Sequence, residues 1–534
     1  MNEDLTYQIV QAAINAGVRE WVVCPASRNS SFVQVLRIEE RLNTYYWPEE
    51  RSAAFFALGK SRMLKQPVAV VTTSGTAAAE LLPAAMEAFY TGVPLLLITA
   101  DRPASFRGTG APQSANQVGL FSHYARTLDL SAGTICDLSH WDRRSPLHLN
   151  CCFNEPQSEP PFQGQQLDLT ASSPHCGTPY TQAEFEKMQK GKAPLDRFLD
   201  KVERPIAIVS AIDASARESV AQLLLKLQIP ALIEGVSGLR EDPRLEPLSL
   251  HRTDKIFTEA ASQGYAIDGV LRIGGVPTHR VWRDLEYLKE SVKVCAISEL
   301  PFSGLSWSRG VACVPMAAFL ATYHPPKVFG MENAQAWMAS ERAYDSLLRG
   351  LFEEEPLAEP SLIASLSQVI PTEARIYLGN SLPVREWDQM ATRKMAHSDV
   401  HASRGVNGID GQISTFFGLC KPSCENWGII GDLTALYDMA AFWILKQLPD
   451  LHFHLVIVNN GGGMIFKRMY PYPEMLNAHA LSFESLANMW GVPYQRSLEN
   501  PDRKNAHQRV IELVPDPAAT ERFIQKLTHK KVAV

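Results

Sequence analysis

Gly428-Ile429-Ile430-Gly431-Asp432-Leu433, a helix-like stretch from Ala435 to Gln447, the apolar run Leu451–Val458 and then Asn459-Asn460-Gly461-Gly462-Gly463 decide the fold of this chain. An apolar strand, one helix and a second apolar strand read as a βαβ unit, whose strands are parallel and whose loops share one edge. Asp432 and Asn460 then both fall at the carboxyl ends of their strands. If those strands are neighbours, the two side chains lie a few ångströms apart. A carboxylate, an amide oxygen and a carbonyl from the glycine run make a hard-oxygen site of the kind Mg²⁺ takes, shared with phosphate oxygens. Glycines also let a backbone approach a diphosphate closely. A helix-capping Asp and an Asn-Gly turn would give the same residues. The order Gly-Asp, helix, strand, Asn-Asn favours the metal–diphosphate reading.

The same alternation runs outward from this unit. The first hundred residues carry Trp21–Val23, a helix over about Ser30–Glu40, Thr44–Trp47, a helix opening at Glu50-Arg51, Pro67–Thr73, a helix over Gly75–Tyr90 and Pro94–Thr99. Residues 154–181 are rich in Pro, Gln, Ser and Gly and read as a linker. A second block contains Pro205–Val209, Val270–Ile273 and Val294–Ile297. A third follows the charged stretch Phe352–Pro360 and contains Arg375–Leu378. The expectation is an α/β chain of three doubly wound parallel-sheet domains, 1–185, 186–350 and 351–534. The length of 534 residues agrees, at roughly 150 residues per domain. Ligands of such sheets sit beyond the carboxyl ends of strands, where strand order reverses.

Composition removes several classes. Hydrophobic residues make up 46% and charged residues 20%, as in ordinary globular proteins. With 51 basic and 57 acidic residues the net charge is −6, and no basic stripe offers itself to nucleic acid. No apolar run approaches the roughly 18 residues of a membrane span. The acidic start MNEDLTYQIV lacks the regions of a secretory signal. Nine cysteines without a C-x-x-C pair read as reduced thiols of a cytoplasmic protein. Cys420 and Cys424 have no matching Cys/His pair nearby, which argues against zinc. Ser74-Gly75-Thr76 and Ser237-Gly238 lack a full nucleophile elbow. Ile273-Gly274-Gly275 lacks the third glycine of a dinucleotide turn. His123, His148 and His401 lack ligand spacing and read as structural or surface residues.

The Gly-Asp…Asn-Asn spacing resembles the diphosphate motif of thiamine-diphosphate enzymes. The resemblance implies an essential glutamate in another domain, against the pyrimidine ring. Glu50, after a strand and opening an Ala/Phe-rich helix, fits that position, although alone it would pass for an acidic first turn favoured by the helix dipole. Burial raises a carboxyl pKa and lets it hold a proton beside an aminopyrimidine nitrogen. That proton would promote the imino form that deprotonates the thiazolium carbon, while the cofactor supplies the electron sink.

Several segments are similar to one family within these enzymes, the 2-succinyl-5-enolpyruvyl-6-hydroxy-3-cyclohexene-1-carboxylate (SEPHCHC) synthases of menaquinone biosynthesis. They are Cys24–Arg28, Thr73–Pro103, Gly110–Gln113, Gly379–Arg385, Ser403–Gly411 and Asn459–Phe466. The middle block matches only loosely. The resemblance implies decarboxylation of 2-oxoglutarate and 1,4-addition of the resulting succinyl carbanion equivalent to isochorismate. By matching motif it implies Glu50, Gln113 and Arg404 as catalytic. Glu50, Thr76, Ser381, Ile409, Asp432, Leu433, Thr434, Asn460, Gly462 and Ile465 would bind thiamine diphosphate, with Ile409 as the apolar wedge. Asp432, Asn460 and Gly462 would hold Mg²⁺ or Mn²⁺. Substrate would meet Ser27, Arg28, Arg102, Gln113, Arg280, Ser381, Arg385, Arg404, Ile465 and Phe466. It also implies a homodimer or homotetramer, because the cofactor's two ends contact domains of different subunits.

The arginines suit the chemistry, since guanidinium forks match planar carboxylates better than lysine does. Each alone would pass for a surface arginine; their recurrence within matching motifs is the argument. Two positions depart from the family pattern. His279 precedes Arg280 where a Lys-Arg pair is usual, leaving one positive charge dependent on pH. Ala26 stands where glycine is usual. The competing readings are another thiamine-diphosphate decarboxylase or synthase, and a non-catalytic chain that kept the fold.

Overall fold

The computed structural model describes residues 2–155, 166–170, 182–308, 310–498 and 507–529. Most of the expected linker 154–181 therefore lies outside the described residues. Among the described residues, seventeen strands form three all-parallel sheets. The first has the order β2-β1-β3-β4-β6-β5, from β1 (Glu20–Val23), β2 (Asn43–Tyr46), β3 (Val68–Thr72), β4 (Leu95–Asp101), β5 (Arg126–Leu130) and β6 (Leu147–Cys152). The second runs β11-β10-β9-β7-β8, from β7 (Pro205–Val209), β8 (Ala231–Ile233), β9 (Gly269–Ile273), β10 (Lys293–Ser298) and β11 (Ala312–Cys313). The third runs β13-β12-β14-β15-β17-β16, from β12 (Arg375–Leu378), β13 (Val400–His401), β14 (Asn426–Gly431), β15 (Phe453–Val458), β16 (Tyr494–Gln495) and β17 (Gln508–Leu513).

Parallel strands joined by helical crossovers are buried on both faces and so read as continuous apolar runs. In β7, Ile206 and Ile208 join one buried cluster while Ala207 and Val209 join another, one on each face. Strand order reverses between β1 and β3 in the first sheet and between β12 and β14 in the third. The segments there begin at Cys24, Thr73, Gly379 and Asp432, and they carry Ser27, Arg28, Thr76, Ser381, Arg385, Asp432, Leu433 and Thr434 of the expected site residues.

The chain divides into two compact units. One comprises residues 1–179 with two segments from the C-terminal third, 405–422 and 434–451. The other comprises 180–404, 423–433 and 452–534, and so holds the second and third sheets. In the first unit the helix Glu50–Leu64 packs on the helix Gln412–Leu419, glycine against backbone. A Cβ on Gly59 would stand 2.1 Å from the Thr415 carbonyl oxygen, and one on Gly418 would stand 2.2 Å from that of Phe56.

Two helices differ from expectation. The stretch Gly75–Tyr90 forms two, Thr76–Ala79 and Leu82–Thr91, because Pro83 has no N–H to give the carbonyl four residues back. Ala435–Gln447 is not one α-helix either. A short α-helix, Asp432–Tyr437, gives way at Asp438 to a 3₁₀ stretch, Met439–Lys446. The buried Asp438 carboxylate accepts from Ser52 Oγ (2.9 Å) and from Ser414 N and Oγ (2.7 and 3.0 Å), which pins the chain there.

Candidate active site

In the first unit, Glu50 lies in a cavity of about 800 Å³ lined also by Glu49, Arg51, Thr73–Ala77, Glu80 and Gln113–Ala115. Either of two adjacent glutamates could have been the functional one, and the local structure separates them. Glu49 is the helix cap: its carboxylate accepts from Arg51 N (3.2 Å) and Ser52 N (2.9 Å). Glu50 is thereby left to project its carboxyl into the cavity. Burial pushes the Glu50 carboxyl above its ordinary pKa, and the charges of Glu49 and Glu80 add to that. Thr76 and Gln113 line the same cavity. The Thr76 helix has one turn, and Gly75 N donates to Gln117 Oε1 at 2.9 Å, so this turn is tied to the protein and offers no open anion site. Gln113 holds a positive φ of 54°, a left-handed conformation that costs a non-glycine residue energy.

In the second unit, β14 and β15 pair in parallel, Gly431 opposite Val458. Asp432 Oδ2 therefore meets the glycine run, accepting from Gly461 N and Gly462 N at 2.9 Å each, while Oδ1 accepts from Leu433 N at 2.6 Å. His479 Nε2 stands 3.3 Å from the same carboxylate. Gly462 takes φ +136°, and a Cβ there would sit 2.4 Å from the Leu476 carbonyl oxygen, so no side chain fits. Asn460 donates through Nδ2 to both oxygens of Glu359, at 2.9 and 3.1 Å. That fixes the amide's orientation. Its Oδ1 is left buried without a hydrogen-bond partner. Glu359 is buried and leans on the half-buried Glu386; burial pushes Glu359 up to about 7 and Glu386 well above the carboxylate range. A buried carboxylate and a buried, unpartnered amide oxygen beside a close-approach glycine fit an oxygen-liganded divalent cation and a diphosphate.

Ser381 and Arg385 open the helix Leu382–Met390 after β12. Ser381 has φ +72°, a second candidate residue with strained backbone. Arg385 donates to the Ser381 carbonyl, and Arg404 Nη1 donates to Asn380 Oδ1 at 2.7 Å. Burial, with Arg404 and Arg283 nearby, pushes the Arg385 guanidinium down to about 10. Glu234 and Asp388 lie near enough to offset part of that effect. On the first sheet, Arg28 is buried after β1 and Arg102 is half-buried after β4, with Ser27 exposed beside Arg28.

The other expected residues fall as follows. Leu433 lies against Gly463, Thr434 is buried, Ile409 and Ile465 are half-buried, and Phe466 is 43% exposed. Arg280 does not join the arginines of the third sheet. It faces solvent and pairs with Asp284 (3.0 Å), because the preceding His279 is turned inward, its Nε2 2.7 Å from Asp388 Oδ2. His279 is thus a joint between the second and third sheets and no substitute for a substrate-facing lysine. Ala26 needs no positive φ; its N–H donates to Asn29 Oδ1 at 2.8 Å. His148 is buried between Thr99 and Thr127, and burial pushes it down to about 3, which keeps it neutral. Sequence reasoning missed Glu49, Glu80, Gln117, Glu359 and Glu386. Glu49 acts locally, as a helix cap that its sequence does not distinguish from Glu50, and the other four act through neighbours distant in sequence.

Parallel sheets with a raised glutamate in one unit and an Asp/Asn/Gly cradle in the other define a thiamine-diphosphate-dependent enzyme. Residues 4–120 match the family model described as the thiamine pyrophosphate enzyme N-terminal TPP binding domain. A protein of Bdellovibrio bacteriovorus named 2-succinyl-5-enolpyruvyl-6-hydroxy-3-cyclohexene-1-carboxylate synthase is 37% identical, with 98% of each chain covered. One of the same name from Akkermansia muciniphila is 37% identical over 97% of each chain, and one from Chloroflexus aurantiacus is 29% identical over 91% of this chain and 88% of its own. The chain belongs to the SEPHCHC synthase family.

Proposed function

We propose that this chain decarboxylates 2-oxoglutarate and adds the resulting four-carbon unit to isochorismate, a step of menaquinone biosynthesis. The observation that carries the cofactor half is Asn460 Oδ1, buried, unpartnered and held in orientation by Glu359 beside Asp432. Asp432, Asn460 Oδ1 and the Gly462 carbonyl would hold Mg²⁺ (or Mn²⁺), and the glycine backbone would take the diphosphate. The bound thiamine diphosphate supplies the electron sink for decarboxylation. Glu50 holds a proton on its carboxyl at the pyrimidine ring, with Gln113 and Thr76 on the same cavity wall. Arg28, Arg102, Arg385 and Arg404 take substrate carboxylates, of which the two substrates bring up to four. Guanidinium forks in a partly desolvated cleft bind these far better than in water.

The active unit is a homodimer or a homotetramer. Supporting this, Phe466, Met469, Tyr470, Tyr472, Met475 and Leu481 are all between 43% and 62% exposed, an apolar strip that asks for a covering partner. Domains 1–185, 186–350 and 351–534 are the functional divisions. We place the enzyme in the cytoplasm, in keeping with the free thiols among the described cysteines. Among the described residues no helix is long and apolar enough to cross a membrane. The test is a substrate swap on purified protein with Mg²⁺ and thiamine diphosphate, following isochorismate absorbance with 2-oxoglutarate, with pyruvate and with neither. Loss with 2-oxoglutarate alone is expected. Release of CO₂ from a 2-oxoacid without loss of isochorismate would discard the acceptor and point to another decarboxylase of this class.

A further inference from the structure

Arg28 and Arg102 lie on different loops, after β1 and β4, yet both donate to a single oxygen of one side chain that follows β6. Arg28 Nη2 stands 2.8 Å, and Arg102 Nη1 2.6 Å, from Glu155 Oε1. Each guanidinium has one further anchor on a backbone carbonyl: Arg28 Nη1 on Phe153 at 3.5 Å, Arg102 Nε on Pro112 at 3.1 Å. Arg102 also lies over the Phe106 ring at 5.2 Å. Arg28 Nε and Arg102 Nη2 have no protein acceptor among the described residues. The arginine side chains are 8% and 18% exposed; Glu155 is 66% exposed. Two guanidiniums this poorly hydrated repel each other unless an anion stands between them. Glu155 is the carboxylate that reaches both.

We propose that Glu155 is a positioning residue for the acceptor subsite: it gathers Arg28 and Arg102 through one oxygen and presents their remaining N–H edges to a carboxylate of the cyclic dicarboxylic acceptor. This rests on the function proposed above. Three consequences follow from the geometry. The pair keeps one net positive charge, matched to one incoming carboxylate. The donors left over are those an anion would bridge. Because Glu155 is 66% exposed, water takes its place when it is removed and hydrates the two guanidiniums, so the cost falls on their arrangement for binding more than on the fold.

The test uses Glu155→Gln, Glu155→Ala and Glu155→Asp in the full-length enzyme with Mg²⁺, thiamine diphosphate and 2-oxoglutarate. For Gln and Ala the KM for isochorismate is expected to rise about tenfold or more, as for loss of a charge-assisted contact, with kcat within about threefold. The Asp variant should recover part of the loss. The KM for 2-oxoglutarate, cofactor affinity and thermal midpoint should stay at wild-type values. Arg102→Ala combined with Glu155→Ala should be little worse than Arg102→Ala alone, since both remove one arrangement. An unchanged or lowered isochorismate KM in Glu155→Gln, or additive losses in the double variant, would overturn the assignment. A wild-type enzyme that leaves isochorismate untouched would instead overturn the function on which it rests.

Discussion

Gly59→Ala puts one methyl into the closest backbone contact of the first unit. The new Cβ would stand 2.1 Å from Thr415 O and 3.0 Å from both Gly418 Cα and Leu419 N. Carbon–oxygen contacts between packed backbones settle near 3.3–3.6 Å, so the two helices must part by roughly 1 Å. No rotamer change can relieve this, because every atom in the way belongs to the backbone of Gln412–Leu419. Overpacking of this kind costs about 1–3 kcal/mol, of which better helix propensity returns about 1. The stability loss should therefore be modest, a few degrees in Tm. Activity should suffer more, because Glu50 opens this helix and moves with it relative to Thr76 and Gln113. A misplacement of about 1 Å at a reacting group costs up to about 100-fold. We expect kcat to fall at least tenfold while Tm drops by only a few degrees, measured by the isochorismate assay and by calorimetry. Gly418→Ala should behave alike, and the double variant should lose less than the sum. Wild-type kcat in a folded Gly59→Ala enzyme would refute the claim that this contact positions Glu50.

Other outcomes follow from the same geometry. Glu50→Gln should lower kcat by about 10²–10⁴ with Tm unchanged, whereas Glu49→Ala should lower stability by about 1 kcal/mol and keep most turnover; a reversed pattern in kinetics and melting would exchange the two roles. Gly462→Ala should weaken thiamine diphosphate binding with Mg²⁺ in titration calorimetry, and tight binding would remove Gly462 from the cradle. Burial pushes the Asp438 carboxyl up to about 6, from an ordinary value of 3.8. Its folded pKa is raised, so its contribution is complete below about pH 4 and is lost as pH climbs through 6, in all about 3 kcal/mol. Asp438→Asn should flatten stability between those values in denaturant melts, and an unchanged pH profile would show that Asp438 titrates normally.

The parallel sheets were legible because buried strands read as apolar runs with polar residues at their ends. The Asp432–Asn460 juxtaposition follows from that alone, since neighbouring parallel strands put their following residues side by side. Choices between adjacent residues were not legible. Glu49 and Glu50 look alike until one is seen capping the helix. His279 and Arg280 look alike until the helix phase buries one and exposes the other. The bend at Asp438 depends on Ser52, almost four hundred residues earlier, and Asn460's orientation depends on Glu359. Such effects pair residues that the chain order keeps apart, and periodicity carries no trace of them.

The first unit has a consequence for how the protein is made. Its helix Glu50–Leu64 is covered by residues 405–422, which leave the ribosome long after residue 179. At about 5–20 residues per second that interval is roughly 10–45 s. During it, Phe55, Phe56 and Gly59 have no covering segment, although the first sheet is complete. A fragment ending near residue 185 would keep that face bare permanently. The nascent chain must stay soluble with its cofactor glutamate already in place and its companion helix still unsynthesised.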